Sequence, residues 1–448
     1  MQPLIIPRKE HGISRKRVSP NALRTLYRLR DNGFIAYLVG GCVRDLLLER
    51  TPKDFDIATN AAPGQIKRLF RNCRLVGRRF RLAHLYFQDE ILEVSTFRAA
   101  APAGEEEPGE TEGTDAPEHH LRHPRHLINE DGMVLRDNVF GTPEEDALRR
   151  DFTINALAYN IADFSLIDFT TGLSDLRQRL LRPIGDPLVR FTEDPVRMLR
   201  AVRFSGSHDL VIEPATWEIL CELAPTISRA SPARLYEEML KLFLLGAARP
   251  VFDLLLKSGL LAPLFPGLCR WLDESDRHPA WLCENLDWFD RRHENGITPP
   301  SPLLFLAVFF GPVLEAQALI RQRDGVPRQQ ALAAAQAVFM EELCKTVQIP
   351  ARVSGRLRNL LAMQPSLHRM PPRRPASLSG RPDFADALAY LRLGAEARGE
   401  NRSALKWWDD FLSSAPAEIS PVSSPEEVPP KRRRRRRRRR RHIAPASD

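Results

Sequence analysis

Two glycines followed at a fixed distance by two aspartates place the strongest constraint on this 448-residue chain. Leu38-Val39-Gly40-Gly41-Cys42-Val43-Arg44-Asp45 reads as a strand, a glycine turn and the start of a helix; Asp54-Phe55-Asp56-Ile57 follows, with twelve residues between Gly41 and Asp54. Side chains on a strand alternate between faces, so Asp54 and Asp56 are expected on one side, with Phe55 and Ile57 turned to a core. Two carboxylates one strand step apart suit a hard divalent cation, which takes oxygen ligands. Gly40 and Gly41 carry no Cβ, which lets a polyphosphate come close to the backbone. The helix after them presents its N-terminal N–H groups to an anion. Together these parts suit in-line displacement at phosphorus assisted by two metal ions. The aspartate pair alone is weak, since a polar strand end after an ordinary turn gives the same letters. The glycine turn and the spacing carry the weight.

Around this motif the sequence divides into an α/β part and a helical part. Asn21 to Arg30 has helical apolar spacing, Phe34 to Val39 reads as a strand, and Val43 to Leu48 as a helix. Asp54 to Ala58 is expected as another strand, and Arg81 to Phe87 with Ile91 to Phe97 as a hairpin about Gln88-Asp89. Residues 1–18 read as a leader and 19–172 as an α/β head with a mixed or antiparallel sheet. The head is interrupted at about 99–125 by an acidic Ala/Pro/Glu/Gly insertion expected to be disordered. From Ser174 strand signals fade, giving an expected helical neck over 173–260 and a helical body over 261–411. Residues 412–448 are Ser/Pro/Glu-rich and then poly-Arg, and should not pack. The apolar run Pro302 to Leu314 stops at Glu315, too short to cross a bilayer, and reads as a buried helix. No membrane partner is expected.

Further motifs follow in order. These are Arg149-Arg150-Asp151-Phe152-Thr153-Ile154-Asn155, Asp168 to Leu176, Glu193-Asp194-Pro195-Val196-Arg197 and Ala233 to Glu238. With the glycine turn and aspartate pair, they make the chain resemble the nucleotidyltransferase superfamily, in its branch of CCA-adding enzymes and bacterial poly(A) polymerases. The resemblance runs from about Ile5 to about Pro416, the insertion aside. It implies a nucleotidyltransferase head followed by helical neck and body, with ATP as substrate and RNA 3′ ends as acceptor. It also implies Mg²⁺, with Mn²⁺ as the alternative ion, held by Asp54 and Asp56. Asp151 is implied as the third acidic residue, and is preferred to its rival Glu93 on an expected strand. Gly40, Gly41, Arg44, Arg149 and Arg150 are the candidates for holding the triphosphate, guanidinium forks being suited to phosphate oxygens. The plainer reading for Arg44 is a local pair with Asp45.

Asp194 and Arg197 stand three apart at a helix start and share a face. The resemblance implies that they read the base edge, the carboxylate accepting from the adenine amino group and the guanidinium donating to N1. Cytosine offers the same donor beside an acceptor, so the pair alone does not select ATP; Asp194 also suits a helix cap ahead of Pro195. Leu69 to His84, Lys406-Trp407-Trp408 and the Arg-rich tail lean toward the poly(A) polymerase subgroup, with the CCA-adding enzyme as the near rival. A non-catalytic RNA-binding protein is the rival from another class, opposed by the intact acidic residues. Cys42 stands where the subgroup usually has glycine. His119, His120, His123 and His126 have metal-ligand spacing but sit in a loop of insertion-like composition, where solvated histidines are expected. Trp407 and Trp408 are expected to pack against the body rather than stack on bases.

The six cysteines lack CxxC pairing, which points to reduced thiols and a cytoplasmic location. The formal charge of +9 resides in one place. Lys431 and Arg432 to Arg441 are eleven consecutive basic residues, and without them 55 basic residues face 57 acidic ones. Lys431, Arg432, Arg433, Arg434, Arg435 and Arg436 are accordingly the candidate RNA-backbone contacts, on a linker flexible enough to follow a strand. If about eight tail cations meet phosphates, the salt slope of single-strand binding steepens by roughly 5 to 6 log units per log unit. Truncation after Pro430 should flatten that slope and weaken binding at low salt, as read by equilibrium titration. Equal slopes for the two proteins would show that the tail does not bind RNA.

Overall fold

The computed structural model describes residues 2–77, 81–99, 140–297 and 301–414, and the backbone of 127–128 and 134–136. The acidic insertion, the four histidines, Arg78 to Phe80 and the arginine tail lie outside the described residues.

The head is built on strands β1 (Leu4–Ile6), β2 (Ala36–Val39), β3 (Asp56–Thr59), β4 (Cys73–Val76), β5 (Leu82–Tyr86), β6 (Ile91–Thr96), β9 (Leu157–Asn160) and β10 (Leu166–Asp168). The intervening β7 (Leu127–Ile128) and β8 (Val134–Arg136) pair only with each other. The eight strands lie in the order β1-β10-β9-β2-β3-β6-β5-β4. Every neighbouring pair is antiparallel except β3 with β6. Leu38, Ile57, Val94, Ala83 and Leu85 line the face that packs on the main core. Val39, Ala58, Ala158 and Ile167 point the other way, into a smaller cluster with Phe97.

Residues 1–18 are more than a leader. Leu4–Ile6 is an edge strand of the head, pairing with β10 some 160 residues away. Leu4 and Ile5 are exposed and only Ile6 is buried, so three residues leave no periodic signal. The aspartate strand is also shorter than expected. Val39 ends β2 opposite Asp56, and the chain then turns away at Gly40 into the helix Gly41–Leu47. No strand remains to pair with Asp54, which sits in the bend before β3.

From Gly172 the chain is mainly helical, apart from the two-residue parallel pair β11 (Leu180–Leu181) and β12 (Val211–Ile212). Several helices begin with proline behind a capping Ser, Thr or Asp: Ser19, Thr142, Asp186 and Ser301 each accept a backbone N–H of the first turn. The apolar run at Pro302 extends to Arg323, a helix of 22 residues that by length and composition is long enough to cross a membrane. Its place is in the core, where Leu303 to Phe310 are all buried. Phe305 and Phe309 pack on Phe243 from the helix Pro232–Phe243, with ring centroids 4.9 and 4.6 Å apart. Those three rings join neck to body. Trp408 is fully buried and donates its Nε1–H to the Leu367 carbonyl at 3.1 Å, while Trp407 stacks on Phe411.

Phe309→Ala should lower unfolding free energy by about 3–5 kcal/mol, because the rigid cluster cannot collapse into the space. Denaturant titration measures it. A loss below about 1 kcal/mol would mean that the neck–body joint is loosely packed.

Candidate active site

The parallel pairing of β3 with β6 sets Asp56 directly beside Glu93, and the antiparallel pairing with β2 sets Val39 on its other flank. These three residues, with Leu82 and Ser95, floor an open cleft of about 300 Å³ on the sheet face away from the main core. The opposite wall is Arg98, Asp146, Arg149 and Arg150. Acids and arginines therefore line one cleft. Asp56 keeps solvent access at the mouth of the cleft, but its surroundings desolvate it, and Glu93 and then Asp54 add like charge. Its carboxyl is pushed up to about 6, with Arg150 opposing. His84 on β5 approaches Glu93 at 3.4 Å.

Gly40 has φ +75° and ψ −136°, a conformation that residues with a Cβ rarely adopt. A Cβ there would meet Arg150 Nη1 at 2.9 Å and approach Asp56 Oδ2. The glycine thus admits a guanidinium to the carboxylate's side. Gly41 opens the following helix, and Cys42 is buried beneath it. Arg150 is braced by Asp146 at 3.1 Å. Burial and the neighbouring Arg98, Arg190, Arg197 and Arg150 push Arg149 down to about 10, the mark of crowded positive charge. An anion relieves such crowding.

The structure distributes the other candidates differently. Arg44 is buried away from the cleft: it donates to Asp45 at 2.7 and 2.9 Å and to Asn155 at 2.9 Å, and stacks on Phe204. Asp151 is not brought to the aspartate pair. Burial alone raises its carboxyl, but Arg200 at 2.6 Å and hydrogen bonds from Asn155 and the Phe152 N–H bring it down to about 2. It anchors the helix Val196–His208 to the loop that carries the arginines. Glu93 occupies the position beside Asp56 instead. Asp194 and Arg197 do follow one another at the helix junction, but no hydrogen bond joins their side chains. Asp194 takes a two-point fork from Arg234 at 2.9 and 2.7 Å, and does not cap the next helix. Arg197 donates to Glu193 and to the Arg190 carbonyl, both at 2.9 Å.

Arg98, Asp146, Arg190 and Arg234 escaped the sequence reading. Arg98, Arg190 and Arg234 meet partners 40 to 48 residues away, which no local spacing reveals, whereas Asp146 and Arg150 stand four apart. Glu93 was within reach: alternation along the hairpin puts Glu93 and Ser95 on one face.

Comparison with known proteins gives the following. A family model described as the Poly A polymerase head domain matches residues 36–182. One described as a probable RNA and SrmB-binding site of polymerase A matches 209–272, and one for the polymerase A arginine-rich C-terminus matches 324–442. The chain is 43% identical over 423 residues to poly(A) polymerase I of Salmonella typhimurium, covering 92% of this chain and 87% of that protein. Similarity to the CCA-adding enzyme of Lactobacillus johnsonii is 34% over 239 residues, covering 53% of this chain and 54% of that one. In fold the chain is similar to the Bacillus stearothermophilus CCA-adding enzyme in complex with CTP. The TM-score is 0.54 at 24% identity, over 89% of this chain and 83% of that one.

A pH prediction follows from Asp56. Its folded value of about 6 lies above the unfolded value of 3.8, so between these the native state holds the extra proton. From this group, stability is lost as pH rises from about 4 to about 6 and is flat above. In chelator, Asp56→Asn should match wild type near pH 4 and melt progressively higher than wild type up to about pH 6. A constant difference across that range would show that Asp56 titrates normally.

Proposed function

The chain belongs to the poly(A) polymerase family, and from that membership we propose that the cleft between Asp56 and the arginine wall is where adenylate is transferred. As a polynucleotide adenylyltransferase, the protein adds AMP from ATP to RNA 3′ ends with release of pyrophosphate. The observation that carries the siting is the register of Asp56 against Glu93, facing Arg149 and Arg150.

The donor set fits a divalent cation. Asp56 and Glu93 are neighbouring carboxylates whose mutual repulsion a cation would relieve, and Asp54 adds its charge at the entrance. Among the described residues no three His, Cys, Asp or Glu side chains close into a cage. That suits Mg²⁺, which keeps water and substrate phosphate in its shell, better than a metal enclosed by protein. Mn²⁺ is the substitute. A divalent ion held by these carboxylates would supply activation of the attacking hydroxyl and neutralise charge on the phosphoryl oxygens. The chain's own residues do the rest. Arg149 and Arg150, with Arg98, take up the charge of the triphosphate, and Gly40 lets the backbone approach it. Glu93 takes the third acidic position, and Asp151 positions the arginine loop through Arg200. Asp194 retains acceptor capacity beyond its fork with Arg234 and can take the adenine amino proton, with Arg197 beside it donating to N1. We place this activity in RNA processing and turnover in the cytoplasm, supported by six free cysteines.

Asp54→Asn or Asp56→Asn should abolish addition with the fold intact; substantial Mg²⁺-dependent activity in either would remove the two-metal assignment. Glu93→Gln should slow turnover at least about a hundredfold with little change in melting, as for other groups acting on transition-state charge. Asp151→Asn should instead cost about 3 kcal/mol of stability, the low end for a broken buried pair, because Arg200 is left without its counter-ion. The reverse pattern would restore Asp151 as the catalytic acid.

Substrate choice is a separate test. With generic single-stranded RNA, ATP alone should give a long ladder and CTP little. A product that stops after CCA, made only on tRNA lacking its end, would contradict the assignment.

A further inference from the structure

One guanidinium connects the two halves of the nucleotide site. Arg190 lies on the helix Pro187–Glu193, which the Asp186 side chain caps. Its Nη2 donates to the carbonyl oxygens of Arg149 at 2.9 Å and Arg150 at 2.6 Å. Arg149 is the C-cap of the helix Pro143–Leu148, and Arg190 satisfies its carbonyl and that of Arg150 after it. The same guanidinium gives Nη1 to Glu193 Oε2 at 2.9 Å, and Arg197 Nη1 reaches that oxygen at the same distance. Arg197 Nη1 also donates to the Arg190 carbonyl. The Arg190 side chain is 14% exposed and that of Arg197 16%, while Glu193, at 34%, keeps partial contact with water.

The geometry points to Arg190 as a positioning residue that couples recognition of the base to the grip on the triphosphate, a role resting on the adenylyl-transfer reading above. Arg197 Nη1 is committed to Glu193 and to a backbone carbonyl. When Arg197 turns to a base edge, Glu193 loses one of its two cations and draws on Arg190 alone. Arg190 in turn holds the backbone of both cleft arginines at their carbonyls. A base that engages Arg197 therefore shifts Arg149 and Arg150, and a polyphosphate that seats those arginines shifts Arg197 by the reciprocal path. Such coupling is a free energy and must be equal in both directions. A lysine at position 190 keeps the charge but cannot fork to two carbonyls and a carboxylate together.

The test uses the full chain in chelator, without primer, and needs no turnover. Adenosine stands for the base half and inorganic tripolyphosphate for the phosphate half, each titrated alone and in saturating presence of the other. In the wild type, tripolyphosphate should tighten adenosine binding about tenfold, within the usual range of couplings, and adenosine should tighten tripolyphosphate binding by the same factor. In Arg190→Lys the factor should fall to about one, while each ligand alone keeps its affinity within about threefold. If that variant does not fold, as judged by melting, Glu193→Gln replaces it. It cuts only the bridge to Arg197 and should also abolish the factor. An unchanged factor in the folded variant, or a wild-type factor of one, would overturn the proposal. So would a proportional loss of both single affinities with the coupling intact, the mark of a merely structural residue. Loss of primer extension with coupling retained would count against the assigned activity and leave this inference standing.

Discussion

The site depends on a strand register that forces two carboxylates together. β3 is hydrogen-bonded between β2 and β6, and its first residue, Asp56, therefore sits against Val39 on one side and Glu93 on the other. Neither acid can move off without breaking the ladder. Burial first, and then the like charge of Glu93, hold the Asp56 carboxyl at about 6. Perturbed carboxyls of this kind concentrate at functional sites, where charge is arranged for a partner the free protein lacks. Strand pairing thus stores an electrostatic deficit that a cation can cancel.

The other wall stores the opposite deficit. Arg98, Arg149 and Arg150 line the cleft, and burial, followed by the charges of Arg98, Arg190 and Arg197, pushes Arg149 down to about 10. The charges stay in place because each is tied to structure: Arg150 to Asp146, Arg190 to two backbone carbonyls, Arg197 to Glu193. Asp151 and Arg200 fasten the helix behind this wall, and Glu238 and Arg203 at 2.6 Å fasten it again to the neck. In the proposed siting, a nucleotide triphosphate with its cation would offset both deficits at once. Through this bracing the neck is tied to the wall that carries the arginines.

Much of this was legible in the sequence because it is local. Gly40-Gly41 marks a turn whose positive φ only glycine adopts readily, and alternation in β5 and β6 separates core from cleft. The all-helical second half follows from apolar spacing punctuated by proline. What escaped was set by long-range pairing. Leu4–Ile6 becomes a strand only because β10 offers an edge, and Asp54 falls off β3 only because β2 ends at Val39. Asp151 stands in an acidic-looking motif, yet its carboxylate is used up by Arg200, 49 residues on. Glu93 carries no motif at all and gains its position from a parallel pairing that joins residues 37 apart.

Carboxyl-carbon NMR of Asp56 in the metal-free protein measures the central constraint directly. Titration near 6 is expected, with a fall in Glu93→Gln toward the ordinary aspartate range and a larger fall on saturation with Mg²⁺. An Asp56 that titrates near 4 in the metal-free chain, unaffected by Glu93→Gln and by Mg²⁺, would contradict it.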